Sequence, residues 1–167
     1  MRAEVAAQIR DGMQQAGVNF VASLPENNLE PLVGLFRDAA DVIHVPLARE
    51  EEGIGVCTGA YLGGQVPAMI MMDAGLLACS NALTVLAGQA GIPMLLLVGY
   101  SGGLGERYFM HTPLGRVLEP VLGGLGIVYT VAERPDTVAD QIVRANTLAH
   151  SSKRPVAVLL DGECLRQ

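Results

Sequence analysis

Three consecutive glutamates, Glu50, Glu51 and Glu52, open a segment that is otherwise small and apolar. Acidic side chains stabilise helix N-termini by ~0.3–1 kcal/mol each through the helix dipole, which is an ordinary explanation for all three. Glycines recur in the same segment, at positions 53, 55, 59, 63 and 64. Each glycine costs ~1 kcal/mol relative to Ala inside a helix. The spacing therefore predicts a helix whose face lies against another backbone or a ligand.

His111 is a second candidate for chemistry, because it lies in a Gly-rich loop at 100–111 that follows an unbroken apolar run. Binding residues concentrate in such loops, and an imidazole can act there as an acid, a base or an anion contact. Its position alone leaves an ordinary loop role open. His44 falls within a predicted strand and His150 near a helix end, so we expect structural or surface roles for both.

Several familiar catalytic and binding patterns are missing from the sequence. "GIGVCTG" at 53–59 has one residue too many for a dinucleotide glycine motif, and no GxxxxGK[ST] phosphate loop occurs. "YSGG" at 100–103 is not a GxSxG hydrolase turn, and no cluster of residues has metal-ligand spacing. The sequence thus gives no sign of a nucleotide, hydrolase or metal site.

Charge and composition exclude further classes. The net charge of −6 comes without a basic run, which argues against nucleic acid as a partner. The longest apolar runs are of strand length, so we expect no membrane helix. Cys57, Cys79 and Cys164 are odd in number and widely spaced, which indicates reduced thiols. Since "MRAEVAAQIRDGM" contains no apolar signal segment, we expect a cytoplasmic protein.

The elements that must position these residues alternate between strands and helices. Strands are predicted at 18–24, 41–47, 67–73, 92–99, 126–131 and 154–160. Helices are predicted at 3–16, 27–39, 50–64, 75–90, within 113–123 and at 135–150, with Asn27 or Asn28 as the cap of the second. The alternation predicts one α/β domain over residues 1–167, a doubly wound, mostly parallel six-stranded sheet with helices on both faces.

Ligands of doubly wound sheets bind at the carboxyl ends of the strands, so the segments that follow the strands are the ones to examine. These segments are 25–28, 49–52, 73–77 and 99–112. Both Glu50 and His111 fall within them.

Taken together, these segments resemble the pyrimidine-binding (Pyr) domain of thiamine diphosphate enzymes over nearly the whole chain. "SLPENNLEPL" (23–32) is similar to the family's first-strand turn, and "REEEGIGVCTGAYLGGQVPAMIMM" (49–72) to its glutamate helix and following strand. "GLLACSNAL" (75–83), "IPMLLLVGYSGGLGE" (92–106) and "MHTPLG" (110–115) resemble its later segments. The similarity is greatest to the sulfopyruvate decarboxylase alpha subunit and the matching half of phosphonopyruvate decarboxylase.

The resemblance selects Glu50 from the three acids, because a family glutamate stands nine residues before a helix glycine that Gly59 matches. That glutamate meets N1′ of the cofactor's aminopyrimidine and exchanges a proton there, which favours loss of the proton from thiazolium C2. The cofactor then attacks a 2-oxo acid and accepts electrons as CO2 leaves. Glu51 and Glu52 are left with capping, interface or solvent roles.

The same resemblance implies the other site residues. Asn27 falls where related decarboxylases place a small polar residue on the substrate side, and His111 where they place an active-site histidine. The cofactor segment of the family corresponds to Gly75, Leu76 and Asn81.

One segment departs from the family. Relatives carry a polar run resembling Gln-Asn-Ser-Gly-Leu-Gly-Asn where this chain has "MDAGLLA" (72–78), which leaves Asp73 as its ionisable group and as an expected substrate contact. The loop at 99–112 offers Arg107 as its one cation. Polar groups that fix a charged substrate are costly to lose, so we expect a substrate more apolar or bulkier than a sulfonate or phosphonate.

The resemblance also implies a partner. The family's diphosphate and Mg²⁺ bind a separate domain through a Gly-Asp-Gly motif followed later by Asn, and "LDGE" (160–163) stands too near the end of this sequence to serve. We therefore expect a beta subunit that holds the diphosphate and Mg²⁺, in an α2β2 assembly whose active site lies between the subunits. A carboligase subunit, a non-catalytic Pyr-like partner and a flavodoxin-like nucleotide or flavin binder stay open as alternatives.

Overall fold

Six strands form one parallel sheet in the computed structural model, which describes residues 1–24, 26–103 and 105–165. Pro25, in one of the segments singled out above, lies outside the described residues. The strands are β1 (Phe20–Ser23), β2 (Ile43–Pro46), β3 (Pro67–Met72), β4 (Met94–Gly99), β5 (Val128–Ala132) and β6 (Pro155–Leu160). Their order is β2-β1-β3-β4-β6-β5, and every neighbouring pair is parallel. The predicted six-stranded α/β sheet is confirmed.

Helices connect the strands and cover both faces of the sheet. They are α1 (Ala3–Gln15), α2 (Glu30–Val33), α3 (Glu50–Leu62), α4 (Asp73–Ala78), α5 (Ser80–Ala82), α6 (Thr112–Leu125), α7 (Pro135–Ser152) and α8 (Gly162–Leu165). The helices α1, α2, α7 and α8 pack on one face, and α3 to α6 pack on the other. Within the described ranges, no helix combines the length and apolarity that crossing a membrane requires.

The core is aliphatic because the central strands are apolar on both faces. In β4, Leu95 and Leu97 belong to the cluster under α1 and α7, while Leu96 and Val98 belong to the cluster under α3 and α6. All six residues of β4 and of β6 are buried, as expected for strands covered on both sides. The edge strands β2 and β5 are partly exposed.

Two helix predictions are wrong in detail. The helix expected at 27–39 begins only at Glu30, with Leu29 as its N-cap residue, and continues as a single 3₁₀ turn over Gly34–Phe36. Neither Asn27 nor Asn28 caps it. The Glu26 carboxylate instead accepts the backbone N–H of Asn28 at 2.7 Å, in the turn that precedes the helix.

The helix predicted at 75–90 is divided. Its first part is α4, which starts at Asp73 and ends at Ala78. The helix restarts after Cys79 as α5 and passes into a π-helical turn over Leu83–Gly88. The short α8 was not predicted.

The carboxyl ends of β1, β3, β4 and β6 meet at one edge of the sheet, which is where the candidate site lies.

Candidate active site

Glu50 is the first residue of α3 and lies directly against Gly75 of α4. A Cβ atom added at residue 75 would stand 2.5 Å from Oε1 and 2.7 Å from Cδ of Glu50. Any side chain there would displace the carboxylate. Glycine at 75 therefore brings two segments that are far apart in sequence into contact at the edge of the sheet.

The three acids of the first turn have different environments. Glu52 accepts the backbone N–H of Ala48, one residue before the N-cap Arg49, at 3.3 Å. Glu50 accepts no hydrogen bond from any described residue. Burial, followed by the charges of Glu50 and Glu51, raises the pKa of the Cys79 thiol to about 12, which keeps the thiol protonated. Glu51 likewise accepts no hydrogen bond from a described residue, so the contact with Gly75 is what distinguishes Glu50 from it.

The predicted cofactor residues are only partly brought together. Gly75 contacts Glu50, whereas the side chain of Leu76 is fully buried in the core beneath α4. Asn81 is exposed on α5, which packs beside α3. Of the proposed cofactor residues other than Glu50, Gly75 is thus the one that contacts the Glu50 carboxylate.

Asp73 joins the ends of two neighbouring strands. Its Oδ1 accepts the backbone N–H of Ala74 at 2.8 Å, and its Oδ2 accepts the backbone N–H of Ser101 at 3.0 Å. The hydroxyl of Ser101 also donates to Oδ2. The carboxylate is 1% exposed and lies outside the cleft described next. This geometry supports a positioning role for Asp73, although a substrate contact was expected.

A cleft of about 680 Å³ opens at the carboxyl ends of the strands, beside Asp73. Asn27 and His111, both predicted on the substrate side, line it together. The rest of its wall comes from the turn after β1, the end of β3, the loop after β4 and the segment from Asp161 through α8: Asn28, Met72, Tyr100, Ser101, Gly102, Gly103, Gly105, Glu106, Arg107, Tyr108, Asp161, Gly162 and Leu165. Two backbones touch beneath it, because a Cβ at Gly102 would stand 2.9 Å from the carbonyl oxygen of His111.

Glu106 organises the loop after β4, and sequence reasoning missed it. Its carboxylate accepts the backbone N–H groups of Gly102 (3.1 Å), Arg107 (2.7 Å) and Tyr108 (2.9 Å). Its Oε2 also lies 3.3 Å from Nδ1 of His111. Burial alone would raise the pKa of Glu106, but these hydrogen bonds and His111 outweigh it and lower the pKa to about 2. The sequence feature that could have identified Glu106 is a single acidic residue in a loop whose backbone N–H groups have no helix or strand partners.

Helix α6, which starts immediately after His111, is fixed to the sheet by a second carboxylate. Glu119 accepts the hydroxyls of Tyr100 (2.7 Å) and Tyr129 (2.6 Å). The hydrogen bonds from Tyr129 and Tyr100 lower the pKa of Glu119. Burial and then the hydrogen bond to Glu119 raise the pKa of Tyr100. Glu106 thus holds the loop before His111, and Glu119 holds the helix after it.

Two groups suited to proton transfer thus lie at one edge of the sheet. Glu50 is a carboxylate held by packing and open to a hydrogen-bond donor, and His111 is an imidazole in the wall of a cleft. Carboxylates and imidazoles are the usual acids and bases of catalysis. The arrangement suits chemistry in which one group serves a cofactor and the other serves a small substrate.

The chain matches the family model described as thiamine pyrophosphate enzyme, N-terminal TPP binding domain, over residues 3–109. It is 39% identical over 147 residues to sulfopyruvate decarboxylase subunit alpha of Methanococcus maripaludis, covering 88% of each chain. It is 30% identical over 118 residues to phosphonopyruvate decarboxylase of Streptomyces viridochromogenes, covering 70% of this chain and 30% of that protein.

A solved structure has the same fold. The 2-oxoglutarate:ferredoxin oxidoreductase from Magnetococcus marinus, solved with 2-oxoglutarate, coenzyme A and succinyl-CoA bound, superposes with a TM-score of 0.76. The match covers 99% of this chain and 29% of the other at 20% sequence identity. At that identity the likeness concerns the fold alone.

Proposed function

Because the chain belongs to the family of thiamine pyrophosphate enzyme N-terminal TPP binding domains, we propose that it is the alpha subunit of a thiamine-diphosphate-dependent 2-oxo acid decarboxylase. Family membership confirms the resemblance expected from the sequence. In this proposal residues 1–167 form a single Pyr domain, since the matched segment 3–109 contains β1 to β4 and the same sheet continues through β6 and β5.

The observation that carries the proposal is the carboxylate of Glu50. It stands at a helix start, against a glycine that leaves room for it, and without a hydrogen-bond donor among the described residues. A partly buried carboxylate is normally paired, so an open one at the edge of a parallel sheet fits a ligand that supplies the missing partner.

Glu50 fits the aminopyrimidine end of thiamine diphosphate, since its open carboxylate can hold a proton shared with a ring nitrogen. Gly75, Leu76 and Asn81 are the further residues proposed on this side. When bound, the cofactor supplies an electron sink for the carbon–carbon bond that breaks. The part of Glu50 is to hold and return the proton, and the part of Gly75 is to keep that carboxylate in place.

Asn27 and His111 are proposed to serve the substrate, because both line the cleft. The amide of Asn27 can donate to a carboxylate, and the imidazole of His111 can bind an anion or deliver a proton. Asp73 holds Ser101 at the base of the cleft, so we assign it a positioning role in place of the expected substrate contact.

We propose a substrate more apolar or bulkier than sulfopyruvate or phosphonopyruvate. Among the described residues of the cleft wall, Arg107 is the one Lys or Arg. Glu106 and Asp161 in the same wall carry negative charge. Met72 lines the cleft directly, whereas the other changed residues of the 72–78 segment, Ala74, Leu77 and Ala78, do not. A distal sulfonate or phosphonate would find little positive charge in the part of this cleft that the structure describes.

A beta subunit is proposed to hold the diphosphate and Mg²⁺, with an α2β2 stoichiometry. The name of the Methanococcus maripaludis relative, a subunit alpha of similar length, supports a two-chain enzyme. The same domain makes up 30% of the longer Streptomyces protein, which supports a second domain as its complement. The free, buried thiols of Cys57 and Cys79 support a cytoplasmic location.

The test is co-expression with the reading frame that encodes a candidate beta subunit, followed by assays of CO2 release. The panel contains sulfopyruvate, phosphonopyruvate, pyruvate and phenylpyruvate, each with and without thiamine diphosphate and Mg²⁺. We expect cofactor-dependent release with an apolar 2-oxo acid preferred, and light scattering to give the mass of an α2β2 complex. No release from any substrate, together with no cofactor binding, would rule out the decarboxylase.

The alternatives correspond to other outcomes of the same assay. A carboligase consumes the 2-oxo acid only when an aldehyde is added and gives a hydroxyketone. A non-catalytic partner binds the beta subunit without turnover. Retention of flavin or nucleotide by the isolated chain would favour the flavodoxin-like alternative.

A further inference from the structure

Glu106 lies in the cleft wall between its own loop backbone and His111. Three of its hydrogen bonds come from N–H groups of Gly102, Arg107 and Tyr108, which saturate most of the carboxylate. The fourth contact, 3.3 Å from Oε2 to Nδ1 of His111, is the one that reaches a side chain with catalytic potential. The two side chains are 16% and 24% exposed, so solvent reaches both only in part.

The chemistry of this contact fixes the proton on the imidazole. The pKa of Glu106 is lowered to about 2, so at neutral pH the carboxylate is ionised and can only accept hydrogen bonds. The nitrogen facing it, Nδ1 of His111, must then carry a proton. In the neutral ring, Nε2 is consequently the unprotonated nitrogen.

The rest of His111 is held by other contacts. Its carbonyl oxygen accepts the N–H groups of Leu114 (3.0 Å) and Gly115 (3.2 Å) in the first turn of α6. The ring of Tyr108 lies 5.1 Å from the imidazole, centroid to centroid. With the backbone fixed, the remaining freedom of His111 is the orientation and tautomer of its ring.

We infer that Glu106 is a positioning residue for His111, holding the imidazole with Nδ1 protonated and Nε2 presented to the cleft. The catalytic consequence rests on the proposed function, whereas the tautomer does not. The other titratable side chains of the described cleft wall belong to Tyr100, Arg107, Tyr108 and Asp161, and none of these side chains hydrogen-bonds to the imidazole of His111. Glu106 is therefore the group whose removal should change the state of the ring.

The first test reads the tautomer directly, by long-range ¹H–¹⁵N NMR of the full chain labelled at histidine. At a pH where His111 is neutral, we expect the Nδ1–H tautomer in the wild type and a shift toward Nε2–H in Glu106→Gln. His44, whose Nε2 lies 2.9 Å from Oγ of Ser23, and His150 are internal controls whose signals should stay unchanged. A wild-type Nε2–H tautomer, or one unaffected by the substitution, overturns the inference.

If Glu106→Gln disturbs the control signals, the fold has changed and Glu106→Asp replaces it. Aspartate keeps the charge on a shorter side chain, so we expect it to retain backbone contacts to the loop while lengthening the contact with Nδ1. A loss of the Nδ1–H preference in this variant supports the inference, and full retention of that preference overturns it.

The second test is a double-mutant cycle in the complex with the beta subunit. We expect Glu106→Gln to lower kcat by about 10- to 100-fold, the range for carboxylates that orient metal-bound histidines, with a smaller change in KM. In the His111→Gln background the same substitution should cost less than about 3-fold, since little histidine-dependent rate is left to lose. Equal losses in both backgrounds would show that Glu106 shapes only the loop. If the wild-type complex has no activity, the proposed function fails and the NMR result alone decides the inference.

Discussion

Glu50 and Glu106 are carboxylates at the same edge of the sheet, but the first accepts no hydrogen bond among the described residues and the second contacts four donors. Glu50 is held by packing, at the start of a 13-residue helix and against Gly75 of another helix. Glu106 is held by hydrogen bonds within its own loop. The comparison separates two ways of holding a carboxylate: packing leaves that of Glu50 open to a ligand, whereas hydrogen bonds commit that of Glu106 to its own loop.

The strongest test of the contrast is Glu50→Gln in the complex with the beta subunit. Loss of the proton-sharing group should lower kcat by about 10²- to 10⁴-fold, the usual contribution of a general acid or base. Glu52→Gln, two residues further on in the first turn of α3, should leave kcat within about 2-fold and the free energy of unfolding within ~1 kcal/mol. Full activity of Glu50→Gln would refute the role given to Glu50.

Gly75→Ala tests whether packing alone holds Glu50 in place. The new Cβ would meet the end of the Glu50 side chain, which can move, so the protein should fold while cofactor affinity and activity fall. We expect about a 100-fold loss of kcat/KM, because a shift of about 1 Å at a reacting group costs that much. The matched control is Gly123→Ala in α6, where a Cβ meets nothing within 4 Å and activity should be unchanged. Equal activity of the two variants would contradict the close-approach argument.

Ser101→Ala tests the contact between Asp73, which follows β3, and Ser101, which follows β4. Asp73 would lose the hydroxyl donor but keep the N–H groups of Ala74 and Ser101, so unfolding free energy should fall by about 1–3 kcal/mol. Thermal unfolding should show a decrease of about 2–4 °C per kcal/mol. Ser151→Ala, which removes an exposed hydroxyl on α7, should stay within ~0.5 kcal/mol. A Ser101→Ala protein as stable as this control would mean that the Asp73 contact does not hold the strands' ends together.

The smallest expected effect is a pH dependence that belongs to Glu106. Because folding lowers its pKa from the usual 4.5 to about 2, the ionised side chain contributes stability above pH 4.5 that is lost as the pH falls toward 2. The difference in urea-unfolding free energy between wild type and Glu106→Gln should therefore be largest near pH 6–7 and shrink toward pH 2. A difference that stays constant over this range would show that the charge is not what stabilises the loop.

The strands were accessible from the sequence because they depend on local pattern, and apolar runs such as Met94–Gly99 predict buried strands. Glu50 was selected by the acid-to-glycine spacing of the family that the chain resembles, and its role stays a prediction. The confirmed fold follows from the same alternation. Asn27 and His111 line one cleft, as expected for two residues predicted on the substrate side. Their roles stay predictions.

What the sequence could not supply depends on contacts between distant segments. Asp73 and Ser101 are 28 residues apart, and nothing local indicates that a carboxylate after one strand will accept from the loop after the next. The break at Cys79 and the π-helical turn beyond it arise where that layer packs against α3, which no helical period reveals. Glu106 ends the segment 92–106 that resembles the family, but its role was not predicted, because its partners are mainly backbone N–H groups that any residue type provides.

The way Glu106 holds its loop has an evolutionary consequence. Since the carboxylate binds N–H groups at 102, 107 and 108, the path of the loop depends on one side chain and on the glycine at 102. Arg107 and Tyr108 give this carboxylate only their backbone N–H groups, and both residues line the cleft. Under the proposed function, exchange of these two side chains would change which 2-oxo acid fits, while the contact between Glu50 and Gly75 stays as it is.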